Sequence, residues 1–129
     1  MSEKCIFCHP DREIILESEH SYAMMDKYPV SQGHMLIIPR RHEANYFNLI
    51  PAGKADLWAL VDEAKTYLDN HYHPDGYNVG FNLDHAAGQT VFHVHIHVIP
   101  RYTGDVEDPE GGVRGVVPGK KRYRGEEKG

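Results

Sequence analysis

The sequence predicts an α+β domain in which one long helix covers a mainly antiparallel, five-stranded sheet. Three observations lead there. Short apolar runs separated by turn residues recur along the 129 residues. A single stretch, 52–72, repeats apolar side chains at helical spacing. Residues 93–99 alternate histidine with aliphatic side chains, as a strand does.

Ile14, Ile15 and Leu16 form one apolar run and Tyr22, Ala23, Met24 and Met25 another, with 17–21 between them, which reads as an antiparallel hairpin. Pro29, Ser31 and Gly33 mark a loop over 28–33, and 34–39 then reads as a buried strand ended by Pro39. Within 52–72, Leu57, Leu60, Val61, Ala64 and Leu68 share one face, opposite Asp62, Glu63, Lys65 and Asp69. Pro51 suits the first turn of that helix, Ile50 is a poor cap, and His73-Pro74-Asp75-Gly76 ends it. Two further strands, 77–83 and 92–100, are joined by 84–88, and 102–119 is rich in Gly, Pro and acids. This gives one domain over 1–118 and a polar, frayed tail over 119–129, where Lys120, Lys121, Arg122 and Arg124 precede Glu126 and Glu127.

A chain of this length buries one core without disulfides. Its net charge of -5 argues against a general nucleic-acid binder, whose affinity rests on clustered Lys and Arg. Arg40, Arg41 and Arg101, near predicted strand ends, could still offer a small anion a local positive field. No apolar run approaches the ~20 residues of a membrane span. Residues 1–10 carry charge and cysteines where a signal peptide is apolar, so the cytoplasm is the expected compartment.

The chemistry is expected in His93-Val94-His95-Ile96-His97-Val98-Ile99. With 10 histidines in the chain, three at alternate positions arise by chance roughly 6% of the time, and roughly 0.2% with four apolar neighbours. Strand alternation puts the three rings on one face and Val94, Ile96 and Val98 on the other. Gly88, Gln89 and Thr90 precede the row and suit close approach of phosphate oxygens. A neutral imidazole is a competent nucleophile toward phosphorus, although three such rings could also ligate zinc. Cys5-Ile6-Phe7-Cys8 holds the chain's two cysteines; without a thioredoxin-like pattern around it, it reads as half of a zinc site if two further ligands exist, with His9 the nearest competing candidate. His20, His71, His73 and His85 lack such spacing and read as surface or capping residues.

The run from His93 to Ile99, with Gly88-Gln89-Thr90 before it, resembles the signature of the histidine triad family of nucleotide hydrolases and transferases, and the likeness extends over about residues 5–101. It implies that His95 attacks the α-phosphorus of a purine nucleotide or dinucleotide to give a nucleotidyl-histidine that water hydrolyses. It further implies that His97 contacts the phosphate and assists the leaving group, and that Gly88, Gln89 and Thr90 hold phosphate or bridging oxygens. Asp26, followed by Lys27, would receive the ribose hydroxyls, His34 would stand behind the triad, and Asn82 would contact the nucleotide. Phe7, Ile14, Leu16 and Met24 are candidates for the apolar slot around the base. Relatives with the N-terminal cysteine pair imply a structural zinc on Cys5, Cys8, His42 and His93, with no metal needed for the chemical step. Pro100-Arg101 resembles the dinucleoside polyphosphate hydrolase branch, and family members imply a homodimer whose two sheets join. A phosphorylase or other transferase using the same histidine, and a non-catalytic nucleotide-binding module, are the alternatives.

Overall fold

The structure is a computed structural model that describes residues 4–123. Its strands are β1 (Leu16–Glu17), β2 (Ser21–Met25), β3 (Met35–Pro39), β4 (Gly76–Gly80) and β5 (Ile96–Arg101), and its helix is α1 (Pro51–Tyr72). They form one antiparallel sheet of five strands, as the sequence predicts, and its strand order is β1-β2-β3-β5-β4. Helix α1 starts at Pro51 behind an extended Ile50 with no side-chain cap, and stops where His73 turns left-handed and returns its N–H to Asp69 O.

One face of the sheet is apolar because α1 lies on it. Leu57, Leu60, Ala64 and Leu68, spaced three and four apart, are fully buried against Ala23, Met35, Ile37, Val94, Ile96 and Val98. The other face carries a second cluster of Tyr22, Met24, Leu36 and Ile38, closed by Phe7 from the N-terminal cysteine loop, whose carbonyl accepts the Tyr22 hydroxyl. Leu36 pairs with His97 in register, so this second face also carries the histidines.

Three boundaries differ from the sequence reading. β1 is shorter than 14–16, though Ile15 N–H still bonds Ala23 O at 2.8 Å. β4 ends at Gly80, so 81–83 leave the sheet. β5 begins at Ile96 rather than 92. Continuing the pairing of Ile37 with Ile96 would set Pro39, which has no N–H, opposite Val94, and the ladder stops there. Val94 N–H instead bonds Glu43 O at 2.7 Å. Alternation nevertheless persists through 93–95, because Val94 stays fully buried on the helix side.

Gly33, at φ 90°, turns the loop before β3 where a Cβ would meet Leu68, Tyr72 and Pro100 at 3.1–3.2 Å, so glycine is required twice over. Of the stretch read as a free tail, Lys121 donates to Asp108 O at 2.8 Å and Arg122 pairs with Asp108 and Glu110; residues 124–129 lie outside the described ones. The arginines expected to face an anion are engaged: Arg40 with Glu17 at 2.8 Å, Arg41 with Glu43 at 3.3 Å, and Arg101 with Asp105 at 2.7 Å. Among the described residues no helix is long and apolar enough to cross a membrane.

Candidate functional site

The histidine row divides at its first member. His93 is fully buried, and its Nε2 lies 2.7 Å from Pro39 O. A carbonyl only accepts, so Nε2 carries the proton and Nδ1 the lone pair. That lone pair faces Cys5 Sγ at 3.3 Å and Cys8 Sγ at 3.6 Å, while His42 Nδ1 lies 3.1 Å from Cys8 Sγ. All four donor atoms fall within 4.8 Å of one another. A tetrahedral zinc places thiolate and imidazole donors about 3.5 Å apart, so donor set, spacing and the His93 tautomer fit that ion. Cys5, Cys8, His42 and His93 could therefore hold zinc as a group, and His9 is not in the cluster.

The other two rings do different work. His95 Nδ1 lies 2.9 Å from His93 O, which makes Nδ1 the donor and leaves the lone pair on Nε2. Phe7 packs edge-on against that ring, centroids 4.9 Å apart. For His97 the proton is set through His34. Val30 N–H donates to His34 Nδ1 at 3.1 Å; the His34 proton is therefore on Nε2, 3.0 Å from His97 Nδ1. His97 accepts there and keeps its own proton on Nε2. Asp26 Oδ2 stands 3.4 Å from His34 Nε2 and 4.0 Å from His97 Nδ1, while Oδ1 accepts Tyr28 N–H at 2.7 Å.

Burial, aided by neighbouring His95 and His34 and opposed by Asp26, pushes His97 down to about 4. Burial likewise lowers His34 and His95 from the ordinary 6.5, Asp26 opposing in both. At neutral pH all three rings are uncharged, so these tautomers hold. The result is a lone pair on His95 and a donor proton on His97, on rings 5.0 Å apart. Asp26, His34 and His97 could also gather around a cation, but a metal on His34 Nε2 would put a proton on Nδ1, against the Val30 N–H.

Gln89 is placed differently from the expectation that it holds phosphate. It is buried, its Oε1 accepts Asp84 N–H at 2.7 Å, and its two N–H donors go to Ala44 O at 3.0 Å and Val91 O at 3.3 Å. With both donors spent, it braces the loop ahead of the triad. Gly88 closes the turn His85–Ala87 at φ 93° with open space where a Cβ would stand. Thr90, Lys27 and Asn82 are exposed. Asn82, His34 and His97 border a cavity of about 550 Å³. Leu16 packs with the α1 core and Ile14 is exposed, whereas Phe7 and Met24 lie on the histidine face. His20 lies 3.9 Å from Glu19, His71 stacks on Tyr67 and His73 ends the helix.

Sequence reasoning missed the Val30 amide and the Pro39 and His93 carbonyls, which fix three tautomers. Backbone groups leave no trace in residue type. It also missed Val113 and Val116, which reach the cavity beside His97 from the C-terminal segment.

A five-stranded sheet that holds one buried histidine toward thiols, a second against Phe7 and a third beside a cavity defines a histidine-triad class of site. The chain belongs to the HIT domain family, whose model matches residues 9–104. It is 35% identical over 96 residues to the bis(5'-adenosyl)-triphosphatase of Dictyostelium discoideum, covering 74% of this chain and 64% of that protein. It is 33% identical over 93 residues to the AP-4-A phosphorylase of Mycobacterium tuberculosis, covering 71% of this chain and 48% of the phosphorylase, about half its length. A zinc-bound histidine triad family protein from Mycobacterium smegmatis superimposes with a TM-score of 0.72 at 34% identity, covering 81% of this chain and 80% of that one.

Proposed function

We propose that the protein is a nucleotide hydrolase that works through a nucleotidyl-histidine on His95. The observation that carries this is the pairing of a lone pair on His95 Nε2 with a proton on His97 Nε2, on rings 5.0 Å apart. His95 Nε2 attacks the α-phosphorus, and a P–N bond forms as the bond to the leaving group breaks. His97 donates a hydrogen bond from Nε2–H to the departing oxygen and steadies the charge that develops there, while its Nδ1 accepts from His34; the leaving group departs as its anion or takes its proton from solvent. Water then attacks phosphorus, the P–N bond to His95 breaks and returns the lone pair to Nε2, and the water's proton passes to solvent. The His93 carbonyl holds the His95 Nδ1 proton throughout.

Relatives named for a dinucleoside triphosphatase and an AP-4-A phosphorylase support a purine nucleotide or dinucleotide as substrate. In this reading Asp26 and Lys27 take the ribose end, Thr90 and Asn82 reach the phosphates, Gly88 and Gln89 shape the loop, and Phe7 and Met24 line the base. Cys5, Cys8, His42 and His93 would hold a zinc ion, which supplies structural cross-linking when bound; no chemical step uses it. The outer edge of β4, unpaired among the described residues, supports a homodimer with joined sheets. The cytoplasm is its proposed compartment.

The phosphorylase relative favours one second reading, in which inorganic phosphate replaces water. Turnover of a dinucleoside polyphosphate with and without phosphate decides it. A nucleoside monophosphate formed without phosphate supports the hydrolase; a diphosphate formed only with phosphate supports the phosphorylase. Loss of turnover in His95→Ala with nucleotide binding kept is expected, and wild type that binds but never turns over would leave only a binding module.

A further inference from the structure

The cysteine turn has an inner end on the histidine face and an outer end at solvent. It closes on itself, since His9 N–H returns to Cys5 O at 3.2 Å. Phe7, carried between the two cysteines, is 4% exposed. Its ring meets His95 edge-on with centroids 4.9 Å apart and His93 at 5.9 Å, and its carbonyl accepts the Tyr22 hydroxyl. Ile6 on the same turn is 46% exposed, both cysteines are half-buried, and His42 beside Cys8 is exposed. A small reagent can therefore reach the Cys8 sulfur from the His42 side.

The two thiols are not bonded to each other, yet both belong to a group of donor atoms that all lie within 4.8 Å of one another. Both sulfurs face one lone pair, that of His93 Nδ1, at 3.3 and 3.6 Å. A disulfide needs its sulfurs about 2.0 Å apart and its Cβ atoms about 3.8 Å apart. Meeting that draws the sulfurs off His93 and tightens a turn of four residues whose inner side chain is Phe7. The histidine row is held by other bonds: His93 Nε2 lies 2.7 Å from Pro39 O, and His93 O lies 2.9 Å from His95 Nδ1. Neither bond involves the turn, so Phe7 can move while His95 stays in place.

We propose that Cys5 and Cys8 form a redox switch on nucleotide binding: closure to a disulfide opens the cluster, shifts Phe7 off His95 and weakens the nucleotide while leaving the chemistry of His95 intact. The proposal rests on the nucleotide reading above, in which Phe7 lines the base. The oxidant is a small disulfide of the glutathione kind. The Cys8 thiolate attacks one of its sulfurs and expels the other half as a thiolate. The Cys5 thiolate then attacks the Cys8 sulfur, the Cys5–Cys8 bond forms, and the second thiolate leaves. Two electrons pass from the cysteine pair to the reagent, and a zinc ion held by the four side chains is released with its charge unchanged. Coupling is reciprocal, so a nucleotide that favours the seated Phe7 also favours the reduced pair.

The test equilibrates the protein in glutathione redox buffers at one fixed zinc concentration, with and without saturating adenosine monophosphate. Intact mass separates the internal disulfide, lighter by two hydrogens, from a glutathione adduct, and calorimetry gives the nucleotide Kd of the reduced and oxidised forms. The disulfide should weaken the nucleotide about tenfold, and the nucleotide should raise the midpoint potential by about 30 mV, the two-electron equivalent of that factor. A dithiol with zinc should restore the affinity, and the single-turnover rate at saturating nucleotide should be the same in both forms. Cys8→His keeps a donor for the cluster but cannot close the disulfide, and its affinity should not change across the buffers; the midpoint shift and its reversal in wild type stand independently of that variant's folding. Equal affinity in the two forms, a midpoint that the nucleotide does not move, or glutathione adducts without the internal disulfide would overturn the switch while the nucleotide reading stands. Loss of affinity in folded, oxidised Cys8→His, or of the single-turnover rate with affinity kept, would overturn it too. Reduced wild type that binds no nucleotide would remove the nucleotide reading, and the switch with it.

Discussion

His97 must be a neutral imidazole that keeps its proton on Nε2, and that requirement has a thermodynamic signature. Its folded-state pKa is lowered from 6.5 to about 4, so between those values the unfolded chain binds a proton that the folded chain refuses. The stability tied to the neutral ring is fully present above pH 6.5, is lost as the pH falls, and is exhausted below about 4. The whole gap is worth about 3 kcal/mol at 1.36 kcal/mol per unit, and about 2 kcal/mol of it is gone by pH 5. The perturbation is His97→Gln, which keeps the size and removes the titration. Urea unfolding of both proteins at pH 7.5 and pH 5 reads the effect. Titration of the cysteine and histidine cluster is common to both and cancels. Wild type should lose about 2 kcal/mol more than the variant over that interval. Parallel losses would show that His97 titrates as an exposed histidine, and the neutral hydrogen-bond donor assigned to the leaving group would fail with it.

Other perturbations separate positioning from chemistry. His34→Ala removes the N–H that fixes the His97 tautomer, so kcat should fall about tenfold or more with KM nearly kept. His34→Gln, which can still donate to Nδ1, should recover part of the loss, and identical losses in the two variants would contradict the relay. Cys8→Ser, or a chelator, should release zinc and lower the melting temperature by several degrees while folded protein keeps its single-turnover rate; folded, metal-free protein without that rate would join metal and chemistry. Gln89→Ala strands the Asp84 amide and should cost about 2–4 kcal/mol of stability, measured by urea unfolding. Unchanged stability with a raised KM would instead make Gln89 a phosphate ligand.

What the sequence discloses depends on whether a feature lives in side-chain pattern or in backbone. The α1 face was legible because Leu57, Leu60, Ala64 and Leu68 repeat at the helical period. The sheet was legible because turn residues separate its apolar runs. The cysteine cluster became legible through resemblance, since spacing alone offers Cys5 and Cys8 but no reason to prefer His42 over His9. The start of β5 was not, because the ladder ends at a missing N–H on Pro39, a residue distant in sequence. Gln89 looked like a phosphate ligand because residue type does not show that Ala44 and Val91 carbonyls take its donors. The wall formed by Val113 and Val116 was hidden for the same kind of reason: Gly, Pro and acids around them read as loop, and only the contacts of Arg114 with the Lys120 and Lys121 carbonyls, and of Arg122 with Asp108 and Glu110, fold that loop against His97.

The central claim is that His95 Nε2 bonds phosphorus. The most direct measurement is the intact mass of the protein after brief exposure to an adenylated substrate and acid-free quenching. One nucleotidyl adduct, mapped to His95, absent from His95→Ala and prolonged in His97→Gln, is the predicted result. Rapid turnover with no adduct at any time, or an adduct that survives in His95→Ala, would contradict the account.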